Sequence, residues 1–180
     1  MIQTIPTPYG DMTAHWNRFG LESLRFSDHN SQQAEQTTEV GSELPGTDDV
    51  SAMQRENAAQ LAAAFESFFE TGSFDFPIDL CDMRNVPTFH RKVLIRCAEI
   101  APGKTMTYGK LADAVGCPGA ARAVGQAMAK NRWPLLIPCH RVVGHSGRMT
   151  GYSGRGGTDT KRKLLDFEAS VNRQPTLAFT

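Results

Sequence analysis

The sequence predicts an α/β (α+β) fold: a small N-terminal antiparallel sheet with a helix, then a helical C-terminal domain containing a helix-turn-helix and an active-site loop. Three observations lead there. Short apolar runs separated by turn residues fill positions 2–26, helical spacing of apolar residues dominates from residue 53 onward, and the two halves carry opposite charge. Residues 1–85 hold fourteen Asp/Glu against four Lys/Arg, a formal −10, whereas residues 86–180 hold five against fifteen, a formal +10. A chain of 180 residues is one domain or two small ones sharing an interface. The expected division is an N-terminal α/β domain over 1–85 (with 27–50 as a loop or linker), a basic domain over 86–170 and a tail over 171–180.

Within 2–26, Pro8-Tyr9-Gly10-Asp11 has turn chemistry and Gly20 breaks the next run, so strands joined by tight turns are expected. Residues 27–50 are rich in Ser, Gln, Thr, Asp, Glu and Gly and offer almost nothing to bury. A helix over Met53–Glu70 presents Leu61, Ala64, Phe65, Phe68 and Phe69 on one face. Gly72 ends it, and Phe74–Ile78 alternates like a short edge strand.

Pro87-Thr88 opens a second helix, with Thr88 as its cap and Phe89, Val93, Cys97 and Ile100 on the buried face. Thr107 caps a short helix over Tyr108–Val115. Gly116-Cys117-Pro118 then turns the chain into a third helix, Gly119–Lys130, which directs Ala121, Val124 and Met128 inward and Arg122, Gln126 and Ala129 outward. Small residues around one arginine let such a helix approach a phosphate-lined groove, and the basic half around it favours a polyanion. A helical hairpin that merely packs, with the two charged halves attracting each other, fits the same residues.

Leu135-Leu136-Ile137 reads as a buried strand or core-lining segment, halted by Pro138. A thiol, an imidazole and a guanidinium follow at once in Cys139-His140-Arg141, before the apolar Val142-Val143. Reactive groups where a buried run meets a proline turn suggest a nucleophile at a pocket floor. On the residues alone, a buried structural Cys beside a surface His explains the pair at least as well. Gly144–Gly157 is a glycine-rich loop whose amides can face a ligand. Lys161–Ala169 is the last helix, with Leu164, Leu165 and Phe167 to bury and Glu168 near its end.

Several classes are set aside. Met1-Ile2-Gln3-Thr4 has neither the basic start nor the apolar core of an export signal, and no apolar run approaches the roughly 20 residues that span a bilayer. The four cysteines form no CxxC pair or disulfide-framework spacing, so reduced thiols in a cytoplasmic protein are expected. His15 and His29 lack partner cysteines, so no metal is expected.

Pro138-Cys139-His140-Arg141-Val142 has Arg122-Ala123-Val124-Gly125 and Asn131 upstream and Gly151-Tyr152-Ser153-Gly154 downstream. Together these resemble the O6-alkylguanine-DNA alkyltransferase family, the methylated-DNA–protein-cysteine methyltransferases of direct-reversal repair. The likeness runs from Pro87 to Ser153 and resumes over the last helix; the N-terminal half agrees through Thr7-Pro8-Tyr9-Gly10 and the order of elements. It implies single-turnover transfer of a methyl or alkyl group from O6 of guanine in double-stranded DNA to Cys139, and leaves open whether O4 of thymine is accepted. No cofactor is implied, and the protein is expected to act as a monomer.

By the same resemblance His140 activates Cys139 through a water, Glu168 orients His140, Asn131 braces the turn, and Tyr108 donates a hydrogen bond to N3 of the departing guanine. Met128 and Tyr152 wall the base, the Ser153 amide receives O6 beside Gly154, and the carbonyls of Cys139 and Val142 read the exocyclic amine. Arg122 enters the base stack from the minor groove, with Ala121, Gly125, Gln126 and Thr107 at the DNA surface. Two departures stand out: Arg132-Trp133 precede Pro134 where family members often have Pro directly after the Asn, and the stretch after Gly154 is longer than usual. A lesion-binding relative without a nucleophile is a rival that Cys139 argues against. A helix-turn-helix regulator with a sensing thiol would need a dimer interface or effector domain, of which there is no sign. For a Cys-His hydrolase the helix-turn-helix would be superfluous.

Overall fold

A computed structural model describes residues 1–27, 47–73, 75–152, 154 and 156–171. Most of the expected linker, the expected tail beyond Val171, and Ser153 lie outside the described residues. Strands β1 (Ile2–Ile5), β2 (Met12–Asn17) and β3 (Gly20–Phe26) form an antiparallel sheet in that order. Met12, Ala14 and Trp16 alternate inward along β2, which is the period-two pattern of a sheet with one buried face. Helix α1 (Thr47–Thr71) lies against it, burying Ala58, Leu61, Phe65 and Phe68 at helical spacing. No proline or glycine separates Thr47 from Met53, so the helix begins earlier than expected and takes in the end of the linker.

The edge strand expected at 74–78 is not formed. Pro77 fixes its own φ at −77°, Ile78–Leu80 closes a single tight turn, and among the described residues the β-pairing of this stretch with the sheet is one bridge, Leu21 to Cys81. Phe76 is instead buried among rings: its centroid lies 4.9 Å from that of Phe65 and 5.5 Å from that of Phe68. Phe68 and Phe69 reach on to Phe167, at 5.4 and 5.7 Å, so the N-terminal helix grips the last helix of the chain.

Helix α2 (Thr88–Ala98) buries Val93, Leu94 and Cys97. Thr88 is its first helical residue rather than its cap, because the extended Pro87 occupies that place and no side chain caps the end. Strand β4 (Met106–Thr107) leads into α3 (Tyr108–Ala114), where Thr107 Oγ1 accepts the Lys110 amide at 3.1 Å as an N-cap should. The Gly116 amide to Asp113 and the Cys117 amide to Ala112 close α3 in the paired pattern of a helix C-terminus. Helix α4 (Ala121–Ala129) starts later than expected, since Gly119 at φ +82° lies outside right-handed helical space. It buries Val124, Ala127 and Met128, while Ala121 is only half-buried.

Strand β5 (Val142–Val143) pairs in parallel with β4, matching Met106 to Val142 and Thr107 to Val143. Helix α5 (Gly157–Val171) begins ahead of Lys161 and buries Lys161, Leu164 and Glu168 on one face. Among the described residues no helix is long and apolar enough to cross a membrane.

Gly20 and Gly10 both have positive φ, +139° and +111°, but only a side chain at Gly20 would strike the Leu80 carbonyl. Gly20→Ala should therefore lower stability by about 1–3 kcal/mol, more than Gly10→Ala, read as a lower urea midpoint at unchanged slope. Equal losses would show that the chain at Leu80 simply gives way.

Candidate active site

The cysteine sits where the packing of an apolar run forces it. Leu135, Leu136 and Ile137 are fully buried, lining the core without forming a strand, and Pro138 turns the chain into the short helical turn Cys139–Arg141. Asn131 fixes this bend from both sides: its Nδ2 donates to the Ile137 carbonyl at 2.8 Å and its Oδ1 accepts the Trp133 amide at 3.0 Å. Arg132 and Trp133, the two residues before Pro134, anchor the bend to the sheet. The Leu24 amide donates to the Arg132 carbonyl at 2.7 Å, and the fully buried Trp133 donates Nε1–H to the Leu21 carbonyl at 2.8 Å.

Behind the cysteine lies a buried charge cluster. His140 Nε2 and Glu168 Oε1 are 2.8 Å apart, with both side chains wholly buried. Arg141 Nη2 donates to the same oxygen at 2.7 Å, its Nε donates to Oε2 at 3.1 Å, and its Nη1 donates to the Ile100 carbonyl. The Gly103 amide completes the carboxylate's shell at 2.9 Å on Oε2. Burial pushes Glu168 up, but His140 and then Arg141 outweigh it and bring its pKa down to about 2. With Glu168 ionised, the shared proton belongs on His140 Nε2 and the ring's lone pair on Nδ1. That Nδ1 is buried and has no partner among the described residues.

Burial dominates the other ionisable groups as well. It raises the Cys139 thiol above its ordinary value, against the Asn131 amide and the Lys161 charge, which act to lower it. It lowers His140, against the pull of Glu168. Thiol and imidazole are thus both neutral at rest. Burial also raises Tyr108, which stays a hydrogen-bond donor. Lys161, on α5, is wholly buried; its Nζ donates to the carbonyls of Val142, Thr150 and Gly151 at 2.6, 3.1 and 3.3 Å.

A cavity of about 250 Å³ opens onto Cys139, walled by Tyr108, Gly125, Met128, Ala129, Gly151 and Tyr152. A more open groove of about 550 Å³ adjoins it and is bordered by Thr107, Ala121, Arg122 and Gly125. The expected site residues are therefore largely gathered at one place. Cys139, Tyr108, Met128 and Tyr152 line the cavity; Asn131, His140 and Glu168 stand behind it; Thr107, Ala121, Arg122 and Gly125 edge the groove. Gln126 is exposed on α4 but borders neither. Val142 is fully buried and off the cavity wall, with its carbonyl engaged by Lys161. Gly154 lies against the Tyr152 ring, which fills the space a side chain would need.

Sequence reasoning gave no role to Arg141 or Lys161. A signal existed for each: Arg141 lies between the apolar runs Leu135–Ile137 and Val142-Val143, and Lys161 shares a helical face with Leu164 and Glu168. Cations in such places are buried and must be paired or hydrogen-bonded.

Comparison with known proteins agrees with this geometry. The family profile described as 6-O-methylguanine DNA methyltransferase, DNA binding domain, matches residues 88–170. The methylated-DNA–protein-cysteine methyltransferase of Mycobacterium tuberculosis is 38% identical over 168 residues, covering 93% of this chain and 92% of that protein. The Shigella flexneri protein of the same name is 32% identical over 167 residues, covering 92% and 94%. Among solved structures, Mycobacterium tuberculosis OGT in complex with DNA aligns with a TM-score of 0.71 at 33% identity, covering 94% of this chain and 93% of that one. An O6-methylguanine DNA methyltransferase from Methanococcus jannaschii aligns at 0.61 and 25% identity, covering 100% and 97%. With relatives matching along almost its whole length, the chain belongs to the methylated-DNA–protein-cysteine methyltransferase family of DNA repair alkyltransferases.

Proposed function

We propose that this chain performs direct-reversal repair, moving a methyl or alkyl group from O6 of guanine in double-stranded DNA to Sγ of Cys139, once per molecule. The observation that carries the reading is a cysteine at a cavity floor backed by a buried imidazole–carboxylate pair whose remaining lone pair is on Nδ1. Sγ attacks the alkyl carbon in line. The S–C bond forms as the C–O6 bond breaks, and the bonding electrons leave with the guanine. The thiol proton passes through a water to His140 Nδ1, giving an imidazolium that Glu168 stabilises.

Tyr108 donates a hydrogen bond to N3 and moderates the charge on the departing base. The guanine finally takes up the proton given up by the thiol, so the products are intact guanine and an S-alkylcysteine. No cofactor enters the balance. A thioether sulfur is a poor leaving group, which is why the protein is not regenerated.

The target atom lies inside the duplex, so the base must be extruded into the cavity. Arg122, exposed beside the groove, enters the stack from the minor-groove side in this reading, while the small residues Ala121 and Gly125 let α4 approach the DNA. Residues 86–170 are the DNA-binding and transfer unit, and the protein acts as a monomer.

Cys139→Ser should abolish transfer while binding to a methylated duplex changes little. Peptide mass analysis of the unaltered protein after incubation with that duplex should find one added methylene on the Cys139 peptide alone; loss of binding together with transfer would make Cys139 structural. Arg122→Ala should slow repair in duplex about tenfold or more, a barrier change of about 1.4 kcal/mol, yet leave reaction with free O6-benzylguanine nearly unchanged. Losses of equal size on both substrates would remove the extrusion role. Glu168 also sets an acid limit. Its folded pKa of about 2 is depressed from 4.5, so its contribution is present above 4.5 and lost as pH falls through about 2. The urea midpoint should drop across that window, and less steeply in Glu168→Gln; parallel curves would contradict the assignment.

A further inference from the structure

We propose that the Lys161 ammonium is the counter-charge of the Cys139 thiolate, held in place by the carbonyls of Val142, Thr150 and Gly151. The inference deepens the repair reading and rests on it, because it takes Cys139 to be the alkyl acceptor. Lys161 is fully buried, and its three donors are spent on three carbonyl oxygens. Carbonyl dipoles satisfy the ammonium's hydrogen bonds without cancelling its charge. Among the described residues no carboxylate pairs with it, whereas Arg141, the neighbouring cation, is neutralised by two oxygens of Glu168.

The groups facing the cysteine can be followed element by element. Helix α2 contributes the buried Cys97, α3 the neutral Tyr108, and the loop before α5 Tyr152, whose hydroxyl burial keeps protonated. The turn contributes His140, kept neutral by burial, and Arg141. Helix α5 contributes Glu168, already committed to His140 and Arg141, and Lys161. Among the described residues Lys161 is therefore the uncompensated charge in this shell, and it is positive.

Position links the two groups. Lys161 holds the carbonyl of Val142, and the Val142 amide donates to the Cys139 carbonyl, so ammonium and cysteine hang from the same short stretch of backbone. Their mutual influence runs in the expected directions: the Lys161 charge lowers the thiol, and negative charge on Cys139 supports the ammonium against burial. Ionising the thiol thus gives the lysine the anion it lacks. Lys161 is a positioning residue in this account, since it reaches the alkyl carbon only through the sulfur.

The test is the pH dependence of Cys139 carbamidomethylation by iodoacetamide, followed by peptide mass in the full-length protein. Lys161→Met removes the charge at similar length, Lys161→Gln removes it but keeps a donor for the carbonyls, and Lys161→Arg keeps the charge. Circular dichroism selects the variants that fold. The Met and Gln variants should move the reaction midpoint up by about one pH unit, making Cys139 about tenfold slower at neutral pH, while the Arg variant stays near the unaltered protein. A midpoint unmoved in whichever of the Met and Gln variants folds overturns the proposal and leaves Lys161 a tether of the loop, even if transfer from DNA is slowed. The underlying repair reading fails separately, if the unaltered protein takes the alkyl group anywhere but Cys139.

Discussion

A carboxylate taken out of water keeps its charge only where the protein replaces the hydrogen bonds that water supplied, and for Glu168 that replacement ties three separate pieces of chain together. The Gly103 amide comes from the connection after α2, the imidazole and guanidinium from the turn that carries Cys139, and the carboxylate itself from α5. Removing one partner of such a buried pair leaves an uncompensated charge, a loss of about 3–5 kcal/mol. The cluster is therefore assembled completely or not at all. That cooperativity keeps His140 in one orientation, with one nitrogen engaged and the other available.

The N-terminal part contributes mechanically, on the evidence of two sets of contacts. Helix α5 presents Lys161, Leu164 and Glu168 to the site while Phe167 sits in the ring cluster built by Phe68 and Phe69 of α1. Stacked and edge-on rings of this kind add about 0.5–1.5 kcal/mol per pair beyond the area they bury. The bend before the cysteine is fastened to β3 through Arg132 and Trp133. Both supports of the turn that carries Cys139, from behind and from below, thus reach the sheet and helix at the start of the chain.

Burial creates a tension at the site that its charges resolve. An isolated thiol this deep is driven towards the neutral form, and so is the imidazole beside it. Moving a proton from one to the other makes an anion and a cation at once. The ionised Glu168 favours the cation, and the Asn131 amide and Lys161 ammonium favour the anion. The resting site is accordingly uncharged at sulfur, and the charges that favour the separated pair are fixed in advance by the fold.

Much of this was determined by local sequence. The Pro138 stop, the Thr107 cap, the strand alternation of Met12, Ala14 and Trp16, and the helical faces of α1, α2 and α4 follow from backbone chemistry and periodicity, which act over a few residues. The run around Cys139 also marked the turn that lies at the cavity. Other features depend on partners that only folding brings close. Phe76 left the sheet edge for a cluster of rings supplied by α1; Glu168 became a buried hub because His140, Arg141 and Gly103 converge on it; Lys161 turned inward to meet carbonyls of β5 and of the loop that precedes its own helix. Charge on a helix reads as solvent-facing until the structure supplies its counterpart. The free energy that keeps it buried comes from hydrogen bonds between segments whose separation along the chain is invisible to any local pattern.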